Sequence, residues 1–403
     1  MRVLVVHNFY QNPGGEDSVV REELSLLQRS GVDVDLFSVS NDDITGPVRT
    51  LATAIEVVYN PWARRALGKK LAEFRPDVVH IHNFFPRLSP SILDACRGAG
   101  APSVLTLHNY RIMCPSALLY PEEALRERSL QHPCWWTVPR RVYRNSFGGT
   151  LALSVMVEFH KRALTWSRKV DRFIALTNWA KQKFVVGGLP AEKIVVKPNF
   201  AARPPSFAGP QRHGALFVGR LDQQKGVPTL LEAWKSIDYP LKIIGDGPLV
   251  TLVKQSDNDR IVYLGRQPRE AVQKEMQSAK LLVLPSFGYE MFPITLLEAF
   301  SNGLPVIGSA IPALEELVEP GITGLIFPSG DAAALADRVR WALANPAALD
   351  EIGRRARTAY EERYTPEMNF RRLMEIYSSL RLDRRGNSPR AADREDVSSP
   401  DAI

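Results

Sequence analysis

Two glutamates with seven residues between them, Glu290 and Glu298, are the first candidates for chemistry in this chain. The apolar run Leu281–Leu284 before them predicts a buried parallel strand, and Pro293 suits the first turn of a helix after it. A helix N-terminus attracts phosphate through its free N–H groups and partial positive charge. Both carboxylates can face one cleft, where sugar or ribose hydroxyls would be their natural ligands. An ordinary helix with two acidic residues would show the same pattern.

Two cations at an earlier turn supply the opposite charge. The turn after the predicted strand 215–218 carries Arg220 and Lys225 between glycines, and a Gly-Asp-Gly-Pro turn at 245–248 follows the next strand. Arginine as a planar fork and lysine as a point charge suit a diphosphate. Because the carboxyl ends of parallel strands meet at one edge of a sheet, these turns and the Glu290 loop should share one rim. The sequence therefore predicts a nucleotide-sugar site.

Strands and helices alternate along the chain, which predicts an α/β fold with two doubly wound domains. The first set of strands is predicted at 2–6, 32–39, 77–82, 103–108, 172–177 and 194–197, and the second at 215–218, 241–244, 261–264, 280–284, 306–307 and 325–327. The predicted boundaries are 1–198 for the first domain with an irregular insert at 110–145, 199–214 for a linker, 215–365 for the second domain, 366–380 for a helix that packs back on the first domain, and 381–403 for a disordered tail.

Two further turns, in the first domain, lie where ligands bind to such sheets. Gly14 and Gly15 follow the first strand, where glycines allow a ligand to approach the backbone, although the G-x-G-x-x-G fingerprint is absent. His82 and His108 end two predicted strands, and open α/β sheets bind ligands at the carboxyl ends of their strands. A tight turn alone would also explain the glycines, and each histidine also fits a structural role.

The composition is that of a basic two-domain protein, with 403 residues, 45% of them apolar, and a net charge of +7. Basic residues crowd the middle of the chain, at Arg126, Arg128, Arg140, Arg141, Arg144, Lys161, Arg162, Arg168 and Lys169. This surface is either solvated or faces an anionic membrane, and no nucleic-acid motif is present. The predicted helix 147–166 either packs on the core or lies on a membrane surface.

The cysteines and the N-terminus indicate a cytoplasmic protein. Cys96, Cys114 and Cys134 are odd in number and suggest no disulfide framework. Cys114, His132 and Cys134 match no closed metal site, so no metal is predicted. We find no signal peptide at the N-terminus and no apolar run of about 18 residues.

The chain resembles the GT-B glycosyltransferases of the retaining family four, the group 1 glycosyl transferases, over about residues 1–380. The most specific features are the Arg220–Lys225 turn, the turn at 245–248, and the pair formed by Glu290 and Glu298. Segments at 6–10, 14–17 and 106–111 resemble a bacterial subgroup associated with cell-surface polysaccharide synthesis. The resemblance implies two Rossmann-like domains that face each other across a cleft.

The resemblance also implies a role for each matching residue. Arg220 and Lys225 would neutralise the donor diphosphate without a metal, and Glu298 would hold the ribose hydroxyls. Glu290 would contact the donor sugar, as would His108 near the reacting carbon. The other donor-binding positions are Gly14, Gly15, Gly219, Arg266 at the base, Met291, and the amides near Phe292, Ile294 and Thr295. The acceptor side is expected to include Glu16, His82, Asn83, Asn109 and Arg111.

We therefore predict a metal-independent transferase that moves a sugar from a nucleotide-sugar donor to a glycan or lipid-linked glycan, with no cofactor. A peripheral contact of segment 110–169 with the anionic inner face of the cytoplasmic membrane is a further hypothesis. The alternatives are a nucleotide-sugar epimerase of the same architecture and a non-catalytic glycan-binding module. Met291 stands where the family often has glycine, which bears on the choice of sugar. The donor base, the sugar and the acceptor remain open.

Overall fold

A computed structural model describes residues 1–11, 14–119, 127–204 and 212–387, with the side chains of Pro47 and of 381–387 outside the description. Its first half forms a six-stranded parallel sheet in the order β2-β1-β3-β4-β5-β6. The strands are β1 (Arg2–Phe9), β2 (Asp33–Ser40), β3 (Val78–Ile81), β4 (Ser103–Thr106), β5 (Arg172–Ala175) and β6 (Ile194–Val196). The helices are α1 (Gly15–Arg29), α2 (Gly46–Glu56), α3 (Pro61–Phe74), α4 (Ile92–Gly98), α5 (Arg128–Gln131), α6 (Phe147–Arg162), α7 (Thr165–Lys169) and α8 (Asn178–Val186).

The second half repeats this plan with a parallel sheet in the order β12-β11-β10-β7-β8-β9. Its strands are β7 (Ala215–Val218), β8 (Leu241–Ile244), β9 (Ile261–Gly265), β10 (Leu281–Leu284), β11 (Val306–Ser309) and β12 (Leu325–Phe327). Its helices are α9 (Val227–Trp234), α10 (Val250–Gln255), α11 (Arg269–Ser278), α12 (Ile294–Ser301), α13 (Pro312–Leu317), α14 (Ala332–Ala344), α15 (Pro346–Arg363) and α16 (Pro366–Asn387). The predicted α/β fold of two doubly wound units is confirmed, while the exact domain boundaries stay a prediction.

Each sheet has a point at which the order of its strands reverses. In the first sheet the chain moves outward from β1 to β2 and then returns to place β3 on the other side of β1. In the second sheet the same reversal occurs between β7 and β10. Loops on either side of such a point diverge and leave a crevice at the carboxyl ends of the strands. The loops after β1, β3, β7 and β10 are those that carry most of the predicted site residues.

The last helix returns to the first sheet. Leu373 and Tyr377 of α16 are buried against Val3, Val78 and Val104 of the first sheet in one apolar cluster. The helix continues to Asn387, beyond the predicted end at Leu380, because Arg and Leu at 381–385 favour helix and no proline interrupts it. The part of the predicted disordered tail at 388–403 lies outside the described residues.

Three other regions of the chain differ from the sequence prediction. Helices α2 and α3 occupy a stretch in which no element was predicted. The predicted helix 147–166 is divided into α6 and α7, because Leu164 takes a left-handed conformation with φ of 53° that a helix cannot continue through. Within the described part of the predicted insert 110–145, Tyr110, Cys114 and Cys134 are buried in the core rather than held in a loose loop.

Candidate functional site

Three loops at the carboxyl ends of β7, β8 and β10 form one continuous rim, comprising residues 219–226, 245–248 and 285–293. Backbone hydrogen bonds join them: the Gly219 N–H donates to the Ile244 carbonyl over 3.1 Å, and the Phe287 N–H donates to the Gln224 carbonyl over 2.6 Å. Gly226, with φ of +70°, lies so close to the Pro285 carbonyl that a Cβ there would overlap it. The glycines therefore serve close backbone contact, which holds the predicted rim together.

Lys225 and Glu290, which sequence reasoning placed in separate roles, form an ion pair on this rim. The Lys225 ammonium lies 2.9 Å from Glu290 Oε1, and the Ser286 hydroxyl donates to the same carboxylate. Neither side chain is fully buried, so both remain accessible from the cleft. The pair places a cation and a hydroxyl-binding carboxylate side by side, where a phosphate and a sugar could separate them.

Arg220 lies beside this pair and is held by a residue that sequence reasoning missed. Its Nε donates to Asp222, whose other carboxylate oxygen accepts the Lys225 backbone N–H over 2.8 Å. Asp222 is buried, whereas the Arg220 side chain is 63% exposed. One buried carboxylate thus orients both cation-bearing positions of the turn and leaves most of the guanidinium free to bind an anion. The position of Asp222 between Arg220 and Lys225 is the one feature of the sequence that could have indicated this role.

Helix α12 begins at the rim and carries the second glutamate of the pair. The side-chain carboxyl group of Glu298 accepts no hydrogen bond from the residues that the structure describes. Burial, opposed by the nearby Arg269 cation, raises the pKa of this carboxyl group to about 7. Once it has lost its proton, this carboxyl group can accept hydrogen bonds from hydroxyl groups. Ile294 and Thr295 form the first turn of the helix and are half-buried.

Met291 does not block the cleft. Its side chain is buried in the same apolar cluster as Phe292 and Leu296, and its φ is negative. The position therefore needs no glycine for its backbone conformation, and the methionine side chain packs among buried apolar residues.

The first domain presents a facing wall to α12. Gly14 and Gly15 begin α1, and a Cβ on Gly15 would lie 3.6 Å from Ile294 Cδ1. The N-termini of α1 and α12 therefore meet across the cleft, so free N–H groups and partial positive charge converge from both sides. An ion pair between Glu22 of α1 and Arg269 of α11 joins the same walls.

Glu16 and Asn109, both predicted on the acceptor side, lie together. The Asn109 amide donates to Glu16 Oε2 over 3.3 Å, and the Tyr10 hydroxyl donates to the same oxygen over 3.1 Å. Glu16 Oε1 is buried and has no partner among the described residues. Burial raises the pKa of this carboxyl group to about 8. This carboxyl group can bind a hydroxyl group of a ligand or accept a proton from it.

Arg111 continues this surface, whereas Asn83 does not. The Arg111 guanidinium stacks over Phe85 at 4.1 Å, and its backbone N–H donates to Asn109. The Asn83 amide instead donates to the Asn8 carbonyl over 2.8 Å inside the loop after β3. Asn83 is buried there, so it braces the loop and does not face the cleft.

The two predicted histidines are in contact, and only His108 is partly accessible. His82 Nδ1 lies 2.9 Å from His108 Nε2, and the two rings stack at 5.2 Å. His82 is buried and His108 is half-buried, so His108 alone can reach a ligand. Arg266 is exposed and directly follows β9 in the second domain.

Cys114, His132 and Cys134, for which no metal site was predicted, do not form a metal-ligand group among the described residues. Cys114 and Cys134 are buried, while His132 is exposed.

Comparisons with known proteins agree with this architecture. Residues 13–201 match the model of Glycosyltransferase Family 4, and residues 202–359 match that of Glycosyl transferases group 1. The phosphatidyl-myo-inositol mannosyltransferase of Mycobacterium leprae is 26% identical, with 91% of this chain and 94% of the relative covered. The O-antigen chain mannosyltransferase C of Escherichia coli is 24% identical, covering 94% and 99%.

A solved structure shares the fold. Anabaena HepE in complex with UDP-glucose superposes with a TM-score of 0.67 and 17% identity, covering 94% of this chain and 100% of that one. Two family models meet end to end along this chain, each on one of the two sheets described above. The chain therefore belongs to the group 1 glycosyltransferases and is an enzyme of the GT-B fold.

Proposed function

We propose that this glycosyltransferase moves a sugar from a nucleotide-sugar donor to a glycan or lipid-linked glycan in cell-surface polysaccharide synthesis, with retention and without a metal. The observation that carries the proposal is the rim at which Arg220, Lys225 and Glu290 meet beside the N-terminus of α12. Support for the acceptor comes from the relatives named above, which are mannosyltransferases for phosphatidyl-myo-inositol and for an O-antigen chain. Retention rests on the family resemblance.

The rim suggests how the donor binds and reacts. A diphosphate at the N-terminus of α12 would take the Lys225 ammonium from Glu290, and the freed carboxylate would accept hydrogen bonds from the donor sugar. Arg220 adds a planar fork for the phosphate oxygens. As the bond to the sugar breaks, negative charge grows on the leaving phosphate oxygen, where both cations lie ready to stabilise it. The roles assigned to Glu298, Gly14, Gly15 and Arg266 stay predictions.

A donor panel tests this function and its main alternative. The protein is incubated with UDP-, GDP-, ADP- and dTDP-sugars, with and without a glycan-lipid acceptor extract, and released nucleoside diphosphate and sugar products are measured by NMR. We expect nucleoside diphosphate release that increases with acceptor. A sugar that changes configuration while it stays on its nucleotide would instead support an epimerase.

Glu298 gives nucleotide binding a specific pH dependence. The free protein must lose a proton from a carboxyl group of pKa about 7 before that group can accept hydrogen bonds from two ribose hydroxyls. Affinity for the cognate nucleoside diphosphate should therefore rise between pH 6 and 8 more steeply in the wild type than in Glu298→Gln. Calorimetry measures the affinity of both proteins for the same nucleotide at each pH. Because the phosphate of the nucleotide titrates in the same way in both experiments, the difference between the two proteins reports on Glu298. We expect the variant to bind about tenfold more weakly at pH 8.

The same shift has a consequence for stability. A carboxyl group whose pKa is raised in the folded state favours folding below its ordinary value of 4.5, and that contribution is lost as the pH rises toward 7. The ligand-free Glu298→Gln variant should therefore lose less thermal stability than the wild type over this range. Parallel pH profiles of the two proteins would contradict the assignment of the titration to Glu298.

We further propose that the first domain contacts an anionic membrane through an apolar face formed by α2 and α6. The two helices pack against each other, and each has a stripe of exposed apolar side chains at helical spacing. The face comprises Val48, Leu51 and Ile55 on α2 and Phe147, Leu151, Val155 and Phe159 on α6. Exposed arginines border α6, at Arg140, Arg141, Arg144 and Arg162. An apolar face with a basic border suits anionic lipid.

The sequence predicted a membrane contact anywhere in segment 110–169. The present proposal limits that contact to α6 within the segment and adds α2, which lies outside it. The opposite face of α6, with Leu153 and Met156, is buried, so the helix both packs on the core and exposes a stripe. Among the residues that the structure describes, no helix has the length and apolar character needed to span a bilayer.

Vesicle flotation tests the membrane face. Each buried apolar side chain contributes about 1.5–3 kcal/mol, so Leu51→Asp with Phe159→Asp should reduce binding to phosphatidylglycerol vesicles by more than about tenfold. Ile322→Asp is the matched control, because Ile322 is an exposed apolar residue of the second half. Equal binding of all three proteins, or equal binding to neutral vesicles, would refute the proposal.

A further inference from the structure

Behind His108, a line of buried polar side chains extends into the first domain. His108 Nε2 lies 2.9 Å from His82 Nδ1, and His82 Nε2 lies 3.1 Å from Glu23 Oε1. Glu23 Oε2 in turn accepts from the Lys197 ammonium over 3.1 Å. The side chains of His82, Glu23 and Lys197 are at least 97% buried. The sequence did not predict that these side chains lie together, because Glu23 and Lys197 are far apart along the chain.

Glu23, His80 and His82 offer ligand atoms within 4.8 Å of one another, but their partners argue against a metal site. The second carboxylate oxygen of Glu23 is already paired with the Lys197 ammonium, which would repel a cation. His80 Nδ1 lies 2.7 Å from the Tyr377 hydroxyl and 3.0 Å from Glu23 Oε1, and His80 Nε2 lies 2.7 Å from the Thr106 hydroxyl. The group is therefore a set of close polar contacts around one buried ion pair, between Glu23 and Lys197.

The position of the protons along this line follows from the chemistry of its members and from the 3.1 Å separation of Glu23 Oε1 and His82 Nε2. The Lys197 ammonium, against the opposing effect of burial, holds the pKa of Glu23 well below its ordinary value, so Glu23 is a carboxylate and can only accept. The His82 nitrogen next to it must then carry a proton, since two lone pairs would repel each other. Burial lowers the pKa of His82 to about 3, so its ring is neutral and its Nδ1 bears a lone pair.

The same reasoning extends to His108. Because His82 Nδ1 accepts, His108 Nε2 must donate the hydrogen bond that joins them. Burial also keeps the pKa of His108 well below its ordinary value, so this ring is neutral and its Nδ1 carries a lone pair. No described residue donates to His108 Nδ1. That nitrogen can accept a hydrogen bond from a hydroxyl group of a ligand.

We propose that Glu23 is a positioning residue: acting through His82, it fixes the proton of His108 on Nε2 and leaves Nδ1 to accept a hydrogen bond from a hydroxyl of the donor sugar. The sugar contact rests on the proposed function, whereas the tautomer does not. Glu23 lies two groups away from the cleft and touches no substrate. Its effect on catalysis is to set which atom of His108 donates and which accepts.

The tautomer of His108 can be measured directly. In full-length protein with ¹⁵N-labelled histidine, two-bond couplings between ring nitrogens and ring C–H groups distinguish a protonated from an unprotonated Nδ1. The His108 signals are assigned by their loss in His108→Asn. We expect an unprotonated Nδ1 in the wild type, without any donor present. A protonated Nδ1 would overturn the proposal even if no variant folded.

Glu23→Gln should exchange the donor and acceptor roles along the line from residue 23 through His82 to His108. The glutamine oxygen would stay with Lys197, and its amide would donate to His82, which would then donate to His108 and move the His108 proton to Nδ1. We expect this new tautomer and a fall in kcat of about tenfold or more, with a smaller change in KM. Glu23→Gln with Lys197→Met removes both charges of the buried pair and should give a mixture of tautomers. An unchanged His108 tautomer in either folded variant would refute the positioning role.

Tyr377→Phe is the matched control. It removes the hydroxyl that lies 2.7 Å from His80 Nδ1, a nitrogen that is also 3.0 Å from Glu23 Oε1, and it changes no atom of Glu23, His82 or His108. Tautomer and kcat should stay at wild-type values, and a shift of the His108 proton in this variant would mean that general packing, not Glu23, sets the tautomer. Transfer activity that is absent in the wild type despite the expected tautomer would count against the proposed function alone.

Discussion

Lys225→Ala is expected to lower kcat/KM for sugar transfer by about 10²–10³, because it removes a preorganised cation from the site where the leaving phosphate gains charge. The variant also leaves Glu290, which pairs with Lys225 over 2.9 Å, as an uncompensated carboxylate beside the diphosphate. Nucleoside diphosphate affinity should therefore fall as well. Steady-state kinetics and calorimetry measure the two effects separately.

The ion pair also predicts a coupling between its members. Adding Glu290→Gln to Lys225→Ala should restore part of the lost nucleoside diphosphate affinity, because the repulsion between carboxylate and phosphate is removed. Lys235→Ala is the matched control, since Lys235 is an exposed cation of the same domain that pairs with Glu232 at a helix end. If Lys225→Ala bound nucleoside diphosphate as tightly as Lys235→Ala does, the diphosphate role of this lysine would be wrong.

Gly226→Ala is expected to have the largest effect on stability of any single methyl group added to the rim. A Cβ at Gly226 would overlap the Pro285 carbonyl, and the residue has φ of +70°. Separating the loops after β7 and β10 would also displace Lys225 from Glu290. We expect a loss of about 3 kcal/mol or more in the free energy of unfolding, together with loss of donor binding.

Gly265→Ala separates backbone strain from overlap. Gly265 has a nearly identical φ of +69°, but nothing lies within 4 Å of the position a Cβ would take. Its replacement should cost only the left-handed strain, about 1–2 kcal/mol, and should leave donor binding intact. Urea unfolding of both variants gives the difference. Equal losses would show that the loops after β7 and β10 do not depend on close approach at Gly226.

Much of the fold was determined by local sequence patterns. Strands such as Leu281–Leu284 are short apolar runs followed by turn residues, and the structure has a strand with these bounds. Parallel strands place their carboxyl ends on one edge of a sheet whatever the details of packing. The convergence of Arg220, Lys225 and Glu290 on one rim therefore follows from the strand–turn–helix pattern alone.

Local patterns gave no signal where the fold depends on longer-range contacts. Helices α2 and α3 were not predicted, although α2 has apolar residues at helical spacing. Part of that stripe faces outward, at Val48, Leu51 and Ile55, so the side chains that suggest a helix are not those that bury it. In the same way, Leu164 ended α6 through a left-handed conformation that its residue type does not favour.

The same distinction between local patterns and long-range contacts applies to the chemistry of the site. The sequence by itself determined which residues could bind a diphosphate and hydroxyl groups, because residue type and the position of a turn are local properties. Only the tertiary structure decided that Lys225 pairs with Glu290, that Met291 points into the core, and that Glu23 meets Lys197 across 174 residues of sequence. Such contacts depend on the order of strands in the sheets and on the burial that sets hydrogen-bonding partners, and neither is encoded by spacing along the chain.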